Sequence, residues 1–285
     1  MGPSPLCSCC LSLLLVLLGG CGESPLEDSA GDSRPRRVVS LDYCADQYLL
    51  QLADREQILA LSPDATSPFS YLREQARDMD TVRAVAEDVL ILNPDLIIRS
   101  YGGGATATAF FERAGVPVLQ LPWIQSVDGD DEHGIPGAIR LVAARLQQTA
   151  RGDALIGGYR QRLARLRASS PPGNLLYMSA GGYTSGPGTL IHDMIATAGL
   201  ANYMERPGWH PLPLETMVYE TPDRVGAAFF RSVNREQQNW SASRHPVATA
   251  LRDRSTSVVL DGASTACGGW FIADAMEALH SAERP

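Results

Sequence analysis

An α/β fold of two parallel-sheet lobes flanking a helical connector is what this sequence predicts, on three observations. Short apolar runs alternate with amphipathic segments over 38–121 and again over 175–280, the pattern of strands in a parallel sheet covered by helices. Between these regions, 136–147 and 153–168 read as helices, the second with apolar residues close to helical period. The two regions also share an element. Glu87 and Glu215 are each followed by six residues, then Pro-Asp (Pro94-Asp95 and Pro222-Asp223) and a strand.

Strands are expected at 38–41, 58–61, 96–98 and 116–121 of the first region, with helices at 45–53, 87–92 and 106–114. Leu49, Leu50 and Leu52 give the first helix its buried side. Pro94 stops the second, because the residue before a proline is pushed out of the helical region, and Gly115 ends the third. In the connector, Leu155, Ile156, Tyr159, Leu163 and Leu166 share one face, and Arg160, Arg162, Arg165 and Arg167 lie on the other. The second region predicts strands at 175–178, 225–230 and 258–260 and helices at 190–198, 214–220 and 271–280. Each shared glutamate falls in the first turn of a short helix, where the helix dipole favours negative charge. Two occurrences at equivalent places point to two lobes of similar topology.

A chain of 285 residues can give each lobe its own core. The net charge of −8 argues against a nucleic-acid partner, which needs a basic stripe. There is no lysine, so arginine carries every positive side chain.

The apolar run at 11–18 is too short to cross a bilayer as a helix, which needs ~20 residues. It suits an export signal. Leu18-Gly19-Gly20-Cys21 resembles a bacterial lipobox, with Cys21 the acylated residue. The segment after it is rich in Gly, Ser, Pro, Asp and Glu and reads as a tether. The expected organisation is a signal at 1–20, a tether at 21–36, a first lobe at 37–133, connecting helices at 134–170 and a second lobe at 171–285. Cys7, Cys9 and Cys10 leave with the signal, so Cys44 and Cys267 are the cysteines of the folded part, and no zinc-type pair survives.

Arg37-Val38-Val39-Ser40-Leu41, Leu92-Asn93-Pro94-Asp95-Leu96-Ile97-Ile98, Tyr183-Thr184-Ser185-Gly186 and the Glu-to-Pro-Asp element in each lobe occur in that order. Together they resemble the cobalamin, ferric-siderophore and haem binding proteins of ABC importers, over 37–279. The nearest resemblance is to the cobalamin-binding members. It implies two lobes joined by a single long helix, the helical-backbone fold of metal-chelate solute-binding proteins, with the chelate held between them. It implies that Glu87 and Glu215 pair with arginines on the transmembrane subunits of an ABC permease. It further implies a monomeric periplasmic lipoprotein, held to the membrane by its lipid, with no catalysis, no cofactor and no resident metal.

The cleft is expected at the carboxyl ends of the strands. Tyr43, Tyr101 with Gly102-Gly103-Gly104, Trp123, Tyr183 and Cys267-Gly268-Gly269-Trp270 fall there, and Trp209 and His210 shortly before Glu215. Aromatic side chains offer flat, rigid area to a macrocycle or aryl chelator. Tyr183 and Trp209 match aromatic contact positions of the cobalamin-binding relatives. Thr81 stands where those relatives carry an aromatic, and Cys267 where they carry an arginine. Cys44 and Cys267 should face the cleft from opposite lobes. Three readings stay open for them: unpaired small residues, a disulfide in an oxidising envelope, or a thiolate touching a bound metal. His192, His210 and His245 are isolated. The acidic loop at 128–133 lacks the spaced ligands of a calcium loop and reads as a solvated turn.

No phosphate-binding loop, G-x-S-x-G elbow or zinc-protease motif is present, and Tyr101-Gly102-Gly103-Gly104 lacks the lysine of a phosphate cradle. The sequence therefore reads as a binding protein. The alternatives are an envelope chelate scavenger that works without a transporter and, further away, an enzyme on the same fold.

Overall fold

The computed structural model of the protein describes residues 34–169, 171–229 and 241–282. The expected signal, the expected lipidation site Cys21 and most of the expected tether lie outside the described residues. Packing begins ahead of Arg37, where the sequence placed the start of the folded chain. The Arg34 guanidinium reaches Asp54 and Gln57, and the Arg36 N–H donates to Asp95 at 2.7 Å.

The first lobe runs β1 (Val38–Ser40), α1 (Tyr43–Leu52), β2 (Ile58–Ala60), α2 (Ala86–Leu90), β3 (Leu96–Arg99), α3 (Ala107–Arg113) and β4 (Val118–Gln120). The connector is α4 (Ile135–Arg145) and α5 (Thr149–Arg167). The second lobe runs β5 (Asn174–Ser179), β6 (Tyr183–Ser185), α6 (Leu190–Thr197), β7 (Ala201–Asn202), β8 (Trp209–Pro211), α7 (Thr216–Tyr219), β9 (Arg224–Phe229), α8 (Pro246–Arg254), β10 (Thr256–Asp261) and α9 (Ile272–Ser281).

Both sheets are parallel and share one topology. The first lobe's order is β2-β1-β3-β4, and the second, read from β7, is β7-β5-β9-β10. Leaving aside the small β6–β8 pair, each lobe places its strands second-first-third-fourth. The helices that carry the shared element, α2 and α7, each precede the third strand of their lobe. The Pro-Asp dipeptide then has a structural role of its own. Asp95 accepts the Arg37 N–H at 3.0 Å, and Asp223 accepts the Asn174 N–H at 2.9 Å. Each aspartate ties the start of the third strand to the start of the first.

Alternation along the strands sorts side chains onto two buried faces. Val38, Leu96, Ile98, Leu175 and Tyr177 point into one core, which continues through α1, α4, α5, α6 and α9 and runs through both lobes. Val39, Leu41 and Ile97 enter a second core beneath α2 and α3. Leu176, Met178 and Val225 enter a third, with Met217 of α7 and Ala248 and Leu251 of α8. At 19 residues α5 is the longest helix, about 28 Å at 1.5 Å per residue. Three of its outer arginines are matched locally: Arg160 and Arg167 by Asp128, Arg160 also by Asp130, and Arg162 by Asp274 and Glu277. The acidic loop is thus clamped by arginines. No helix among the described residues is long and apolar enough to cross a membrane.

Four elements were not expected from the sequence. Helix α8 buries only Ala248 and Leu251, too thin an apolar stripe to register as a period, although Pro246 at its first turn marks the start. Strands β6 and β8 are three residues each and pair antiparallel through partners far apart in sequence. Strand β7 has two residues.

Candidate ligand-binding site

The loops leaving β1, β3 and β4 meet the loop after β10, the start of α6 and β8 around a cavity of about 510 Å³, a size usual for small-molecule sites. It lies at the carboxyl ends of the strands. In the first lobe it borders the β1–β3 crevice, where the chain leaves in opposite directions and ligands bind open sheets.

One buried carboxylate builds the first-lobe wall. Asp42 Oδ1 accepts the Ala45 N–H at 3.0 Å and so caps α1. Its Oδ2 accepts the N–H groups of Ser100, Tyr101 and Gly102 at 2.7, 3.0 and 2.9 Å. A Cβ at Gly102 would run into the Leu41 carbonyl, so only glycine allows this approach. Behind the loop, Arg99 donates to Gly102 O, Gly104 O, Thr108 and Gln120 at 2.7–2.9 Å. Tyr43 and Tyr101 are thereby brought edge to face, with ring centroids 5.9 Å apart. Burial pushes both phenols up, and the negative charges of Asp42 and Asp64 add to this, so both stay neutral.

Trp123 follows β4 and is 74% exposed, with its carbonyl 3.1 Å from His133 Nδ1. From the second lobe, Trp209 on β8 is 47% exposed and meets Tyr177 edge-on at 6.2 Å. Thr189 caps α6 by accepting the His192 N–H at 3.2 Å. Cys44 and Cys267 both border the cavity and are joined as a disulfide, with Cα atoms 5.6 Å apart. That decides among the three readings and leaves no free thiolate here for a metal. Beside it, Tyr48 OH donates to Gly268 O at 2.9 Å, a second tie between the lobes.

The cavity brings together Tyr43, Tyr101, Trp123, Trp209 and Cys267 of the residues singled out from sequence. Three others stand apart from its lining. Trp270 is buried and packs edge-on against Tyr48 and Phe271, because the chain turns into the core directly after Gly269. His210 pairs in β8 with Thr184, and its Nε2 lies 2.9 Å from the Pro207 carbonyl. Tyr183 is exposed on β6, opposite Pro211. Sequence reasoning passed over Tyr48, Pro122, Ile124, Thr189 and Thr265, which also line the cavity. Of these, only Pro122 beside Trp123 carried a local signal, a break directly after a strand. Glu87 and Glu215 lie elsewhere, exposed at the starts of α2 and α7.

Two curated proteins from strains of Halobacterium salinarum, each named cobalamin-binding protein, are 27% identical to this chain over 204 residues, 68% of this chain and 54% of theirs. The chain thus spans about half the length of the curated relatives it matches. Among solved structures, a periplasmic haem binding protein from Pseudomonas aeruginosa aligns with TM-score 0.64 at 23% identity, over 87% of this chain and 94% of that one. The periplasmic vitamin B12 binding protein BtuF of Vibrio cholerae aligns with TM-score 0.63 at 20% identity, over 87% and 96%. A possible iron-binding solute-binding protein from Staphylococcus epidermidis aligns with TM-score 0.67 at 16% identity, over 87% and 98%. These likenesses establish the two-lobed fold with a helical backbone. The sequence model of the family described as periplasmic binding protein matches residues 38–226, and the chain belongs to that family.

Proposed function

We propose that this protein is an exported lipoprotein, anchored through Cys21, that captures a metal chelate between its lobes and delivers it to an ABC permease. The chelate is a cobalamin, a ferric siderophore or a haem, and the protein performs no chemistry on it. The observation that carries this reading is the cavity itself. It sits between two sheets of one topology and presents Tyr43, Tyr101, Trp123 and Trp209 to a ligand. Rigid aromatic area of this kind suits a planar or aryl-rich chelate.

Delivery rests on Glu87 and Glu215. They occupy equivalent places in the two lobes, and an exposed apolar side chain follows each one helical turn later: Ile91, 78% exposed, and Tyr219, 88% exposed. Two such carboxylates can dock a pseudo-symmetric protein on a two-fold symmetric importer, with charge setting register and on-rate more than affinity.

Thermal unfolding of the purified protein against cobalamin, haem, and ferric hydroxamate and catecholate chelates tests the binding claim. A ligand at a hundred times its Kd stabilises by ~2.7 kcal/mol, an easily read shift. Uptake by cells carrying Glu87→Arg with Glu215→Arg tests delivery. Uptake should be abolished with chelate affinity intact, whereas undiminished uptake leaves a scavenger that needs no transporter.

A further inference from the structure

We propose that the cleft sorts chelates by charge, admitting neutral or cationic ones and turning away those that carry carboxylates or catecholates. This rests on the chelate-binding reading and narrows its ligand class.

Among the described residues, every side chain lining the cavity is uncharged: phenols, indoles, hydroxyls, aliphatic groups and the disulfide. An anion entering such a space would lose its hydration without gaining a cationic partner, and that transfer is costly. The backbone offers one built anion-holding donor set beside the cavity, and the protein itself already fills it. Three successive N–H groups at Ser100, Tyr101 and Gly102 form a concave donor set of the kind that binds oxyanions. That set is filled by the protein's own Asp42 carboxylate. The N-terminus of α6 borders the cavity as well, where the Thr189 hydroxyl accepts one of its N–H groups, that of His192, and no cationic side chain accompanies it in the lining.

The fixed charges nearest this wall complete the picture. Arg99 is buried behind the loop, with its guanidinium spent on four neutral acceptors. Asp42 and Asp64 each bring negative charge to bear on Tyr43 and Tyr101, the phenols that line the cavity. A neutral ligand rimmed with amides meets no such penalty. Its carbonyls and N–H groups can exchange hydrogen bonds with phenols and hydroxyls, while its rings lie against Trp123 and Trp209.

The test measures dissociation constants of the full chain in detergent by tryptophan fluorescence quenching and calorimetry, at low and high salt. The probes are cyanocobalamin, which is neutral overall, a ferric tris-hydroxamate without net negative charge, haem with its two propionates, and a ferric tris-catecholate trianion. At least one of the first two should bind ~10-fold or more tightly than both anions, with the gap shrinking at high salt. Thr265→Arg, which sets a cation in the lining, should narrow the gap by strengthening the anions. Its own melting curve establishes that it is folded. Haem or the catecholate binding as tightly as the uncharged probes, or a gap that Thr265→Arg leaves unchanged, overturns the charge selection alone. Failure of all four probes to bind overturns the chelate reading together with it.

Discussion

Cys44 and Cys267, separated by 223 positions in the chain, are joined as a disulfide that links the first helix of one lobe to the loop after the last strand of the other. Closing so long a loop restricts the unfolded chain far more than the folded one. Cys44→Ser with Cys267→Ser should lower the unfolding free energy by about 2–4 kcal/mol. The variant should still fold, because one core runs through both lobes. Denaturant unfolding with and without reductant reads this directly. A midpoint that neither reductant nor the double substitution moves would show that the bond adds nothing.

Asp42 holds the wall of the cleft through four backbone N–H groups. Asp42→Ala removes a helix cap and strands three further donors near the cavity. It should cost about 2–4 kcal/mol, combining a lost cap with unpaired buried groups. Asp42→Asn keeps acceptor oxygen and should recover part of the loss. Thermal unfolding of the two variants gives the order. If the alanine variant melts with the wild type, the Ser100–Gly102 loop is held by something else.

The buried Asp46 carboxyl gives the fold a pH dependence. Burial pushes its pKa up to about 7 from 3.8, against hydrogen bonds from Ser40 and Ser62 that favour the charged form. Between those values the folded chain keeps a proton that the unfolded chain has released. The stability contributed by this group is therefore full below about pH 4 and falls as pH rises towards and through 7. Asp46→Asn stays neutral and should match the wild type near pH 4, then exceed it at about pH 8 by on the order of a few kcal/mol. Parallel stability-against-pH curves for the two proteins would contradict the raised pKa.

Trp123 and Trp209 border the cavity from opposite lobes, 74% and 47% exposed. Trp123→Ala and Trp209→Ala should each weaken chelate binding by ~10-fold or more, the effect of removing an aromatic anchor. The melting temperature of the free protein should barely change. Calorimetry with the bound chelate decides, and unchanged affinity in both variants would move the ligand out of this cavity.

Much of the fold is legible in the sequence because strands buried on both faces, such as Val38–Ser40 and Leu96–Arg99, must be written as continuous apolar runs. Pro94-Asp95 and Pro222-Asp223 mark helix ends by local sterics, which no tertiary contact alters. Helix α8 escaped notice because it buries two small patches rather than a stripe, and β6 and β8 because each exists only through the other. At the site, Tyr43, Tyr101 and Trp123 are legible as aromatics at strand ends, and Trp209 by its place shortly before Glu215. Trp270 was visible on the same grounds, yet it packs inward. Residue type and strand position do not say which way a side chain turns after a glycine.

By itself the sequence determined the α/β class, the two lobes with a helical connector, and the repeated glutamate element. These follow from periodicity and from backbone preferences that act over a few residues. Only the tertiary structure decided that Cys44 and Cys267 pair, that Asp42 fills the Ser100–Gly102 donors, and which aromatics border one cavity. Each of these joins groups that sit many residues apart in the chain. Their separation in space is set by how two four-stranded sheets, the β6–β8 pair and nine helices among the described residues pack together, and no local rule of the chain contains that distance.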